Sequence, residues 1–157
     1  MSARVFVPAD SSALSVGADA VAGAILGEAR RRGVDMTMVR TGSRGLFWLE
    51  PLIEVETAAG RIGYGPVAPD EVARLFEAGF LTGGLHPKAL GRVEDIPYLA
   101  RQQRLIFTRC GLTDPLSIDD YRRHGGLRGL ERALRLGPKA TIEEILASGL
   151  RGRGGAG

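Results

Sequence analysis

The sequence predicts an α/β fold for the first half of the chain, and three observations carry this prediction. Two short apolar runs, Arg4–Pro8 and Val34–Val39, are typical of buried strands, and a pattern of helical period lies between them. An alternating segment and a further helical pattern follow before residue 80. Of the 157 residues, 44% are apolar and 25% are charged, which is the composition of a folded domain that buries its own core.

The first helix is predicted over Val16–Arg32, after a loop at Asp10–Ser12. The apolar residues that recur at helical spacing are Val21, Ala22, Ile25, Leu26 and Ala29. Arg30–Arg32 lie at the carboxyl end, where cations interact favourably with the helix dipole, and Gly33 ends the helix. We therefore interpret the arginine triplet as a helix end rather than as a phosphate-binding patch.

A β-hairpin and a second helix are predicted after a turn-rich loop at Thr41–Gly45. The hairpin joins Leu52–Thr57 to Arg61–Gly65 through a turn at Ala58–Gly60. The first of these strands alternates apolar and acidic residues, which predicts a half-exposed strand. The second helix begins at Pro69, because proline is favoured at the first helical position.

Residues 83–116 are predicted to form an extended connector after a first domain over residues 1–82. Glycine and proline are frequent in this segment and no hydrophobic period is sustained, so only Arg104–Thr108 is a candidate strand. A third region, residues 117–157, has start signals for three short helices, and Ser117 is expected to cap the first of them.

The other two helices of this region are predicted from leucine spacing and from a capping motif. The leucines that mark the second helix are Leu127, Leu130 and Leu134. Thr141 and Glu144 have the spacing of a capping box, so the third helix is expected to begin at Thr141. Gly149 is expected to end it.

The charge of the chain is unevenly distributed. Residues 1–95 carry 10 basic and 12 acidic groups, whereas residues 96–157 carry 11 basic and 6 acidic groups. A carboxy-terminal half that meets phosphates or an acidic partner fits this asymmetry, and so does an ordinary arginine-rich surface. Nucleic acid is not an expected partner, because residues 122–157 contain no aromatic side chain on which a base could stack.

Membrane insertion and export are not expected. No apolar run approaches the roughly 18 residues that a membrane-spanning helix needs. The apolar stretch near the amino terminus is too short for a signal peptide. We therefore predict a cytoplasmic protein.

Isolated reactive side chains give no sign of a metal centre or of side-chain catalysis. His86 and His124 are the only histidines, and neither has a cysteine or an acidic neighbour at metal-ligand spacing. The single cysteine, Cys110, cannot form an internal disulfide and cannot hold an iron–sulfur cluster by itself. No catalytic residue is predicted, and no metal ligand.

The glycine-rich end of the chain is the main candidate for chemistry. Glycines allow backbone N–H groups to crowd around a phosphate, and arginines beside them add charge and forked donors. The segment Gly152–Gly157 is therefore a candidate loop for a nucleotide or flavin phosphate, although Gly/Arg ends are also typical of disordered tails. An ordinary Rossmann loop is disfavoured, because a helix rather than a strand precedes it.

Three segments together resemble the flavin-carrying NADH-oxidising subunit family. They are Thr108–Tyr121, Gly125–Gly126 and Ala147–Gly157, which ends in Gly-Arg-Gly-Gly-Ala-Gly. The family includes the 51-kDa subunit of respiratory complex I and the diaphorase subunits of soluble NAD-dependent formate dehydrogenases and hydrogenases. The resemblance implies that this loop binds FMN where NADH stacks on the flavin. The residues it implies for the cofactor site are Gly152, Arg153, Gly154, Gly155 and Gly157.

The first domain resembles a second family, the thioredoxin-like [2Fe–2S] ferredoxin domains. Matching on Gly17–Asp19 and on Gly42, Gly45 and Glu50–Pro51 aligns four positions of this chain with the cluster cysteines of that family. These positions are Pro8, Ala13, Ser43 and Phe47. None is a cysteine, so we expect a thioredoxin-like domain without a cluster, and no cluster anywhere in residues 1–157.

With both resemblances taken together, the chain is most similar to the beta subunits of soluble NAD-dependent formate dehydrogenases. They imply a cluster-free thioredoxin-like α/β domain, an extended connector, and short helices that open an FMN-binding domain. The implied cofactors are FMN and NAD, with a [4Fe–4S] cluster only in a later part of a longer subunit. On that view residues 1–157 are an amino-terminal portion that is inactive alone.

The same resemblance implies partner subunits. They are a small thioredoxin-like [2Fe–2S] subunit and a large molybdenum-type catalytic subunit, and the chain would carry electrons between FMN, iron–sulfur clusters and NAD(H). The alternative is a non-catalytic assembly module that docks a [2Fe–2S] partner and whose glycine-rich end is a linker.

Overall fold

A computed structural model describes residues 2–152 and 154–155, and these residues form two compact units that meet in sequence at Ser117–Ile118. The first unit is built on one five-stranded sheet. Its strands are β1 (Ala3–Pro8), β2 (Met36–Thr41), β3 (Ile53–Thr57), β4 (Gly60–Tyr64) and β5 (Ala89–Arg92). The strand order is β2-β1-β3-β4-β5. The β1–β2 pair is parallel, and the other three pairs are antiparallel.

The predicted α/β class is confirmed by this mixed sheet. A long helix, α2 (Ala18–Arg32), connects the parallel strands β1 and β2. The hairpin β3–β4 follows, with its turn at Thr57–Gly60, and then a short helix, α3 (Val72–Glu77). The described order is strand, helix, strand, hairpin and helix, as the sequence pattern predicts and as the resemblance to thioredoxin-like domains implies.

The loop predicted at Asp10–Ser12 is instead the start of a helix, α1 (Ser11–Ser15). The carboxylate of Asp10 accepts hydrogen bonds from the backbone N–H groups of Ser12 and Ala13, at 3.0 and 3.3 Å. It therefore acts as the N-cap of this helix. Gly17 separates α1 from α2 with a left-handed backbone conformation, so α2 begins at Ala18, two residues after the predicted start at Val16.

The main core lies between the sheet and the helices α2 and α3. β1 and β3 turn every second side chain towards these helices, which is why Val5, Val7, Ile53 and Val55 are fully buried. Four of the five periodic apolar residues predicted for α2 lie in this core, namely Val21, Ala22, Ile25 and Ala29, whereas Leu26 is only partly buried. Gly33 ends the helix in the left-handed conformation.

Part of the predicted connector belongs to the sheet. The strand β5 pairs with β4 and was not predicted, because Ala-Leu-Gly-Arg has no β-branched or aromatic residue. A helical turn, α4 (Pro97–Ala100), follows it. A second, smaller apolar cluster holds these elements to the first domain, and its buried members are Leu46, Leu52, Val93 and Leu99.

The candidate strand at Arg104–Thr108 is wrong, because this segment forms turns. The hydroxyl of Thr108 donates to the carbonyl oxygens of Arg104 and Leu105, both at 2.6 Å. The N–H of Cys110 donates to the carbonyl oxygen of Phe107 at 3.1 Å. These local bonds satisfy backbone groups that a strand would offer to a neighbour.

The second unit contains the helices α5 (Ile118–Arg123) and α6 (Arg128–Ala147). α6 is interrupted at Gly137, whose φ of 77° and ψ of 170° are not helical, and Pro138 follows. The predicted division into two helical segments thus exists, but the second segment begins before Thr141. The prediction that Thr141 and Glu144 form a capping box is therefore wrong. The Thr141 hydroxyl donates to the carbonyl oxygen of Gly137 at 2.7 Å, and Glu144 pairs with Arg132 instead.

No helix in the described part of the chain combines the length and the apolar character needed to cross a bilayer.

Candidate functional site

The sheet face that points away from α2 and α3 carries a buried charge cluster. Phe6, Glu54 and Arg61 lie on this face of β1, β3 and β4, and Arg44 comes from the loop after β2. Two nitrogens of Arg44 donate to Glu54, Nε to Oε1 at 2.5 Å and Nη2 to Oε2 at 2.8 Å. Nη1 of Arg61 donates to the same carboxylate at 3.2 Å, and its guanidinium carbon lies 3.5 Å from the centroid of the Phe6 ring.

This cluster corrects the prediction of a half-exposed strand. Glu54 is 4% exposed, because two arginines neutralise a carboxylate that points away from the helices but not into water. Burial alone would lower the pKa of Arg44, but its hydrogen bonds to Glu54 and the charge of that carboxylate raise it. Burial lowers the pKa of Arg61.

Two arginine side chains, one on this face and one in the segment itself, attach residues 101–112 to the first unit. Arg61 donates from Nη1 to the carbonyl oxygen of Gly111 at 2.7 Å. Arg104 donates from Nη2 to the carbonyl oxygen of Arg44 at 3.0 Å. A Cβ on Gly111 would lie 2.2 Å from Cγ of Arg44, so the backbone there packs closely against the cluster. The segment is therefore held by polar contacts, while several of its apolar side chains remain exposed.

An open groove of about 480 Å³, which we call the aromatic groove, lies beside this attachment. The residues that line it are Ser43, Arg44, Gly45, Phe47, Tyr98, Gln102, Arg104, Phe107 and Cys110. Trp48 stands next to it, with its ring 5.1 Å from that of Tyr98 in an edge-to-face arrangement. All of these residues belong to the first unit.

The aromatic groove includes two of the four positions that the ferredoxin resemblance aligns with cluster ligands. Ser43 donates its hydroxyl to Glu50 at 2.8 Å, and the Phe47 ring is exposed. The other two positions, Pro8 and Ala13, are buried. A thiolate-held cluster needs cysteine sulfurs, and these four residues supply none, so they do not fit a [2Fe–2S] cluster.

Polar side chains occupy the same neighbourhood. Glu50 is 6% exposed and accepts hydrogen bonds from the hydroxyl of Ser43 and from the N–H of Leu52. Burial raises the pKa of Glu50. The pKa of Asp10 is lowered, because hydrogen bonds from Ser12 and Ala13 outweigh the effect of its burial. In the described part of the chain, no group of three or more His, Cys, Asp or Glu side chains is arranged to hold a metal ion.

The two histidines make local contacts. Nδ1 of His86 accepts from the N–H of Lys88 at 3.2 Å, and Nδ1 of His124 lies 2.9 Å from the carbonyl oxygen of Asp120. Cys110 is partly exposed at the edge of the aromatic groove.

The predicted cofactor loop is described in part. Gly152, Gly154 and Gly155 are exposed, and a Cβ added to Gly154 or Gly155 would meet no described atom within 4 Å. Arg153 and Gly157, which belong to the same prediction, lie outside the described residues. The described glycines thus leave their backbone groups accessible, as a phosphate-binding loop requires.

Comparison with curated proteins finds local similarity to components of oxidoreductase complexes. The chain is 46% identical over 57 residues to the NADP-reducing hydrogenase subunit HndC of Solidesulfovibrio fructosivorans. It is 54% identical over 41 residues to the F subunit of the NADH-quinone oxidoreductase of Streptomyces coelicolor, and 51% identical over 41 residues to that of Aquifex aeolicus. These partial matches show local similarity to subunits of a hydrogenase and of NADH-quinone oxidoreductases.

The matches are short relative to the proteins compared. They cover 36%, 26% and 26% of this chain but only 12%, 9% and 10% of the three relatives. No protein-family model matches the chain. Among solved structures, the thioredoxin-like [2Fe–2S] ferredoxin from Aquifex aeolicus is 17% identical, with a TM-score of 0.48 over 58% of this chain and 98% of the ferredoxin.

Sequence reasoning missed the buried charge cluster and the aromatic groove. One signal for the cluster was available: the hairpin register places Arg61 opposite Glu56, two residues from Glu54 on the same face of the sheet. The contribution of Arg44 had no such signal, because it depends on how the loop after β2 folds back over the sheet. The aromatic groove is lined by two segments that are far apart in the sequence, residues 43–47 and 98–110.

Proposed function

We propose that this chain acts in an NADH-oxidising flavoprotein that carries electrons between NAD(H), FMN and iron–sulfur clusters of a larger complex. The observation that carries the proposal is the local identity of 46–54% to proteins named as components of NADH-quinone oxidoreductase and of NADP-reducing hydrogenase. The glycine-rich loop adds support, since its residue types are those a flavin phosphate needs.

The residues proposed to line the FMN site are Gly152, Arg153, Gly154, Gly155 and Gly157. FMN, when bound, accepts the hydride of NADH and passes on single electrons. The chain would contribute backbone donors from the glycines and a guanidinium from Arg153. No general acid or base is needed for this role, which agrees with the absence of a predicted catalytic side chain.

We further propose that the complex is of the formate dehydrogenase type. The support is the first unit, whose four aligned ligand positions lack cysteine. A cluster-free thioredoxin-like domain ahead of the flavin loop is the feature for which the sequence most resembles those beta subunits. The proposed partners are a small thioredoxin-like [2Fe–2S] subunit and a large molybdenum-type subunit, and the proposed location is the cytoplasm.

The flavin site is tested by measuring the FMN content of the complex that contains this chain, isolated through an affinity tag. Gly155→Val is expected to lower the content about tenfold or more, because a branched side chain blocks the close backbone approach to a phosphate. A Cβ at Gly155 has open space around it, so the loss would not come from a clash with described atoms of the chain.

Gly129→Ala is the matched control, because it also adds a Cβ into open space on an exposed helix residue. It should retain wild-type FMN and wild-type NADH:ferricyanide activity. Full FMN content in Gly155→Val, or a wild-type complex without flavin, would contradict the proposal. Reduction of NAD by formate, rather than by hydrogen, tests the assignment to the formate dehydrogenase type.

A second candidate function is a docking module for a [2Fe–2S] partner subunit. The aromatic groove favours it, because three exposed aromatic side chains line one open surface of the first unit. This role predicts that residues 1–117 are needed for assembly even when the glycine-rich loop is altered. The two functions are compatible within one protein.

A further inference from the structure

We propose that the aromatic groove binds an acidic partner protein, and that the partner inserts an apolar side chain flanked by carboxylates. The inference deepens the docking function and does not rest on flavin binding, since no described residue of the glycine-rich loop lines the groove.

The apolar half of this recognition comes from four rings. Phe47 is 63% exposed, Phe107 62%, Trp48 58% and Tyr98 48%. Phe47, Tyr98 and Phe107 line one groove of about 480 Å³, which is large enough for one or two side chains. Aromatic residues and arginine are enriched in the centres of protein interfaces, and contiguous exposed apolar patches mark interaction sites.

The charged half comes from the segment that forms one wall of the groove. Arg101–Cys110 contains three arginines and no acidic residue. Arg104 lines the groove and donates from Nη2 to a backbone carbonyl, but its buried Nε–H has no acceptor among the described residues. Arginine next to an apolar groove matches a carboxylate next to an apolar side chain, because guanidinium–carboxylate bonds are strong and directional.

Two other occupants fit less well. A second copy related by a twofold axis would present the same surface patch, and its segment Arg101–Cys110 has no acidic residue to pair with these arginines. A nucleic acid would need a basic field, yet residues 1–117 carry 13 basic and 13 acidic groups. Leu105 and Ile106, 87% and 56% exposed, extend the apolar surface with side chains that offer no stacking face.

The test is site-specific photo-crosslinking in the complex as it exists in cells. The photoreactive amino acid p-benzoylphenylalanine replaces Phe107 in the full chain, and cross-linked peptides are identified by mass spectrometry after purification. Because Phe107 is exposed, the replacement alters no buried packing. We expect cross-links to a different polypeptide, at a segment in which an apolar residue is flanked by Asp or Glu.

The same probe at Leu85 is the matched control, because Leu85 is 92% exposed and does not line the groove. It should not cross-link to that segment. Arg101→Glu should lower the cross-link yield from position 107 about fivefold or more, whereas Arg101→Lys should stay within about twofold of the wild type. Arg101 is exposed, so neither variant disturbs the core.

Cross-links from position 107 to a second copy, to nucleic acid, to other parts of the same chain, or to a partner segment without acidic residues would overturn the proposal. So would equal yields from positions 107 and 85. FMN content, measured on the same samples, separates this result from the flavin proposal. The identity of the captured polypeptide shows whether it is a [2Fe–2S] protein, which tests the docking function separately.

Discussion

Arg44 and Glu54 form an ion pair inside the first unit, with Nη2 of Arg44 2.8 Å from Oε2 of Glu54 and both side chains less than one-tenth exposed. The pair joins the loop after β2 to the middle of the sheet. Because that loop also supplies Ser43, Gly45 and Phe47 to the aromatic groove, the pair fixes one wall of the proposed docking surface.

Arg44→Met should lower the free energy of unfolding by about 3 kcal/mol, because it leaves a buried carboxylate with only Arg61 as a partner. Urea denaturation followed by circular dichroism measures the effect. Arg4→Met is the control, since the Arg4–Glu56 pair is 45% exposed at both ends and should contribute less than about 1 kcal/mol. Equal losses of unfolding free energy in the two variants would show that the buried Arg44–Glu54 pair stabilises the fold no more than the exposed Arg4–Glu56 pair.

Gly84→Ala should destabilise the first unit by about 2 kcal/mol, because the new Cβ would lie 1.8 Å from the carbonyl oxygen of Ala78. Gly84 also accepts the hydroxyl hydrogen bond of buried Tyr64 at 2.8 Å. Gly27→Ala, in the exposed middle of α2, should instead stabilise the protein by about 0.5–1 kcal/mol. Thermal denaturation of both variants gives the comparison, and a neutral Gly84→Ala would refute the close packing.

Glu50 should make the stability of the protein fall as the pH rises. Burial raises its folded-state pKa above the ordinary value of 4.5, so the folded protein binds more protons than the unfolded chain between these two values. Stability is therefore lost as the pH rises through that interval. Urea denaturation between about pH 4 and pH 8 should show this slope in the wild type and not in Glu50→Gln.

Ser43→Ala provides the matched variant for Glu50. The Ser43 hydroxyl donates to the ionised carboxylate at 2.8 Å and opposes the rise of its pKa. Its removal should raise the pKa of Glu50 further and extend the falling slope to higher pH. The explanation fails if Glu50→Gln retains the wild-type slope.

Glu144 should titrate below the ordinary glutamate value. Its hydrogen bonds with Arg132, as short as 2.6 Å, lower the pKa of this exposed carboxyl group. The contribution to stability is present above the unfolded-state pKa of about 4.5 and is lost as the pH falls through the folded-state pKa. Carboxyl-carbon NMR titration of the full chain measures it directly.

Arg132→Gln should return the Glu144 pKa towards 4.5, whereas Arg135→Gln should leave it unchanged. Arg135 lies on the same helix and has no described contact with Glu144. A Glu144 pKa that does not respond to Arg132→Gln would mean that the pair does not span the break at Gly137 in solution.

Local pattern determined most of the secondary structure. Apolar residues at a period of about 3.6 define α2, and glycine at its end stops it, because both effects act within a few neighbouring residues. The absence of cysteine at the four aligned positions was likewise readable from the sequence. The break in α6 was also predicted, but at the wrong residue. The apparent capping box placed the start of the next helix at Thr141, whereas the helix is interrupted at Gly137–Pro138.

Only the tertiary structure decided that paired charges are buried on one face of the sheet and that the aromatic groove stays open. The alternation in β3 places Glu54 away from the helices but does not reveal that Arg44 and Arg61 cover it. The aromatic groove likewise joins Phe47 to Phe107 through the folding of two irregular segments. Such contacts depend on loop paths and side-chain partners distant in sequence, and no local periodicity encodes them.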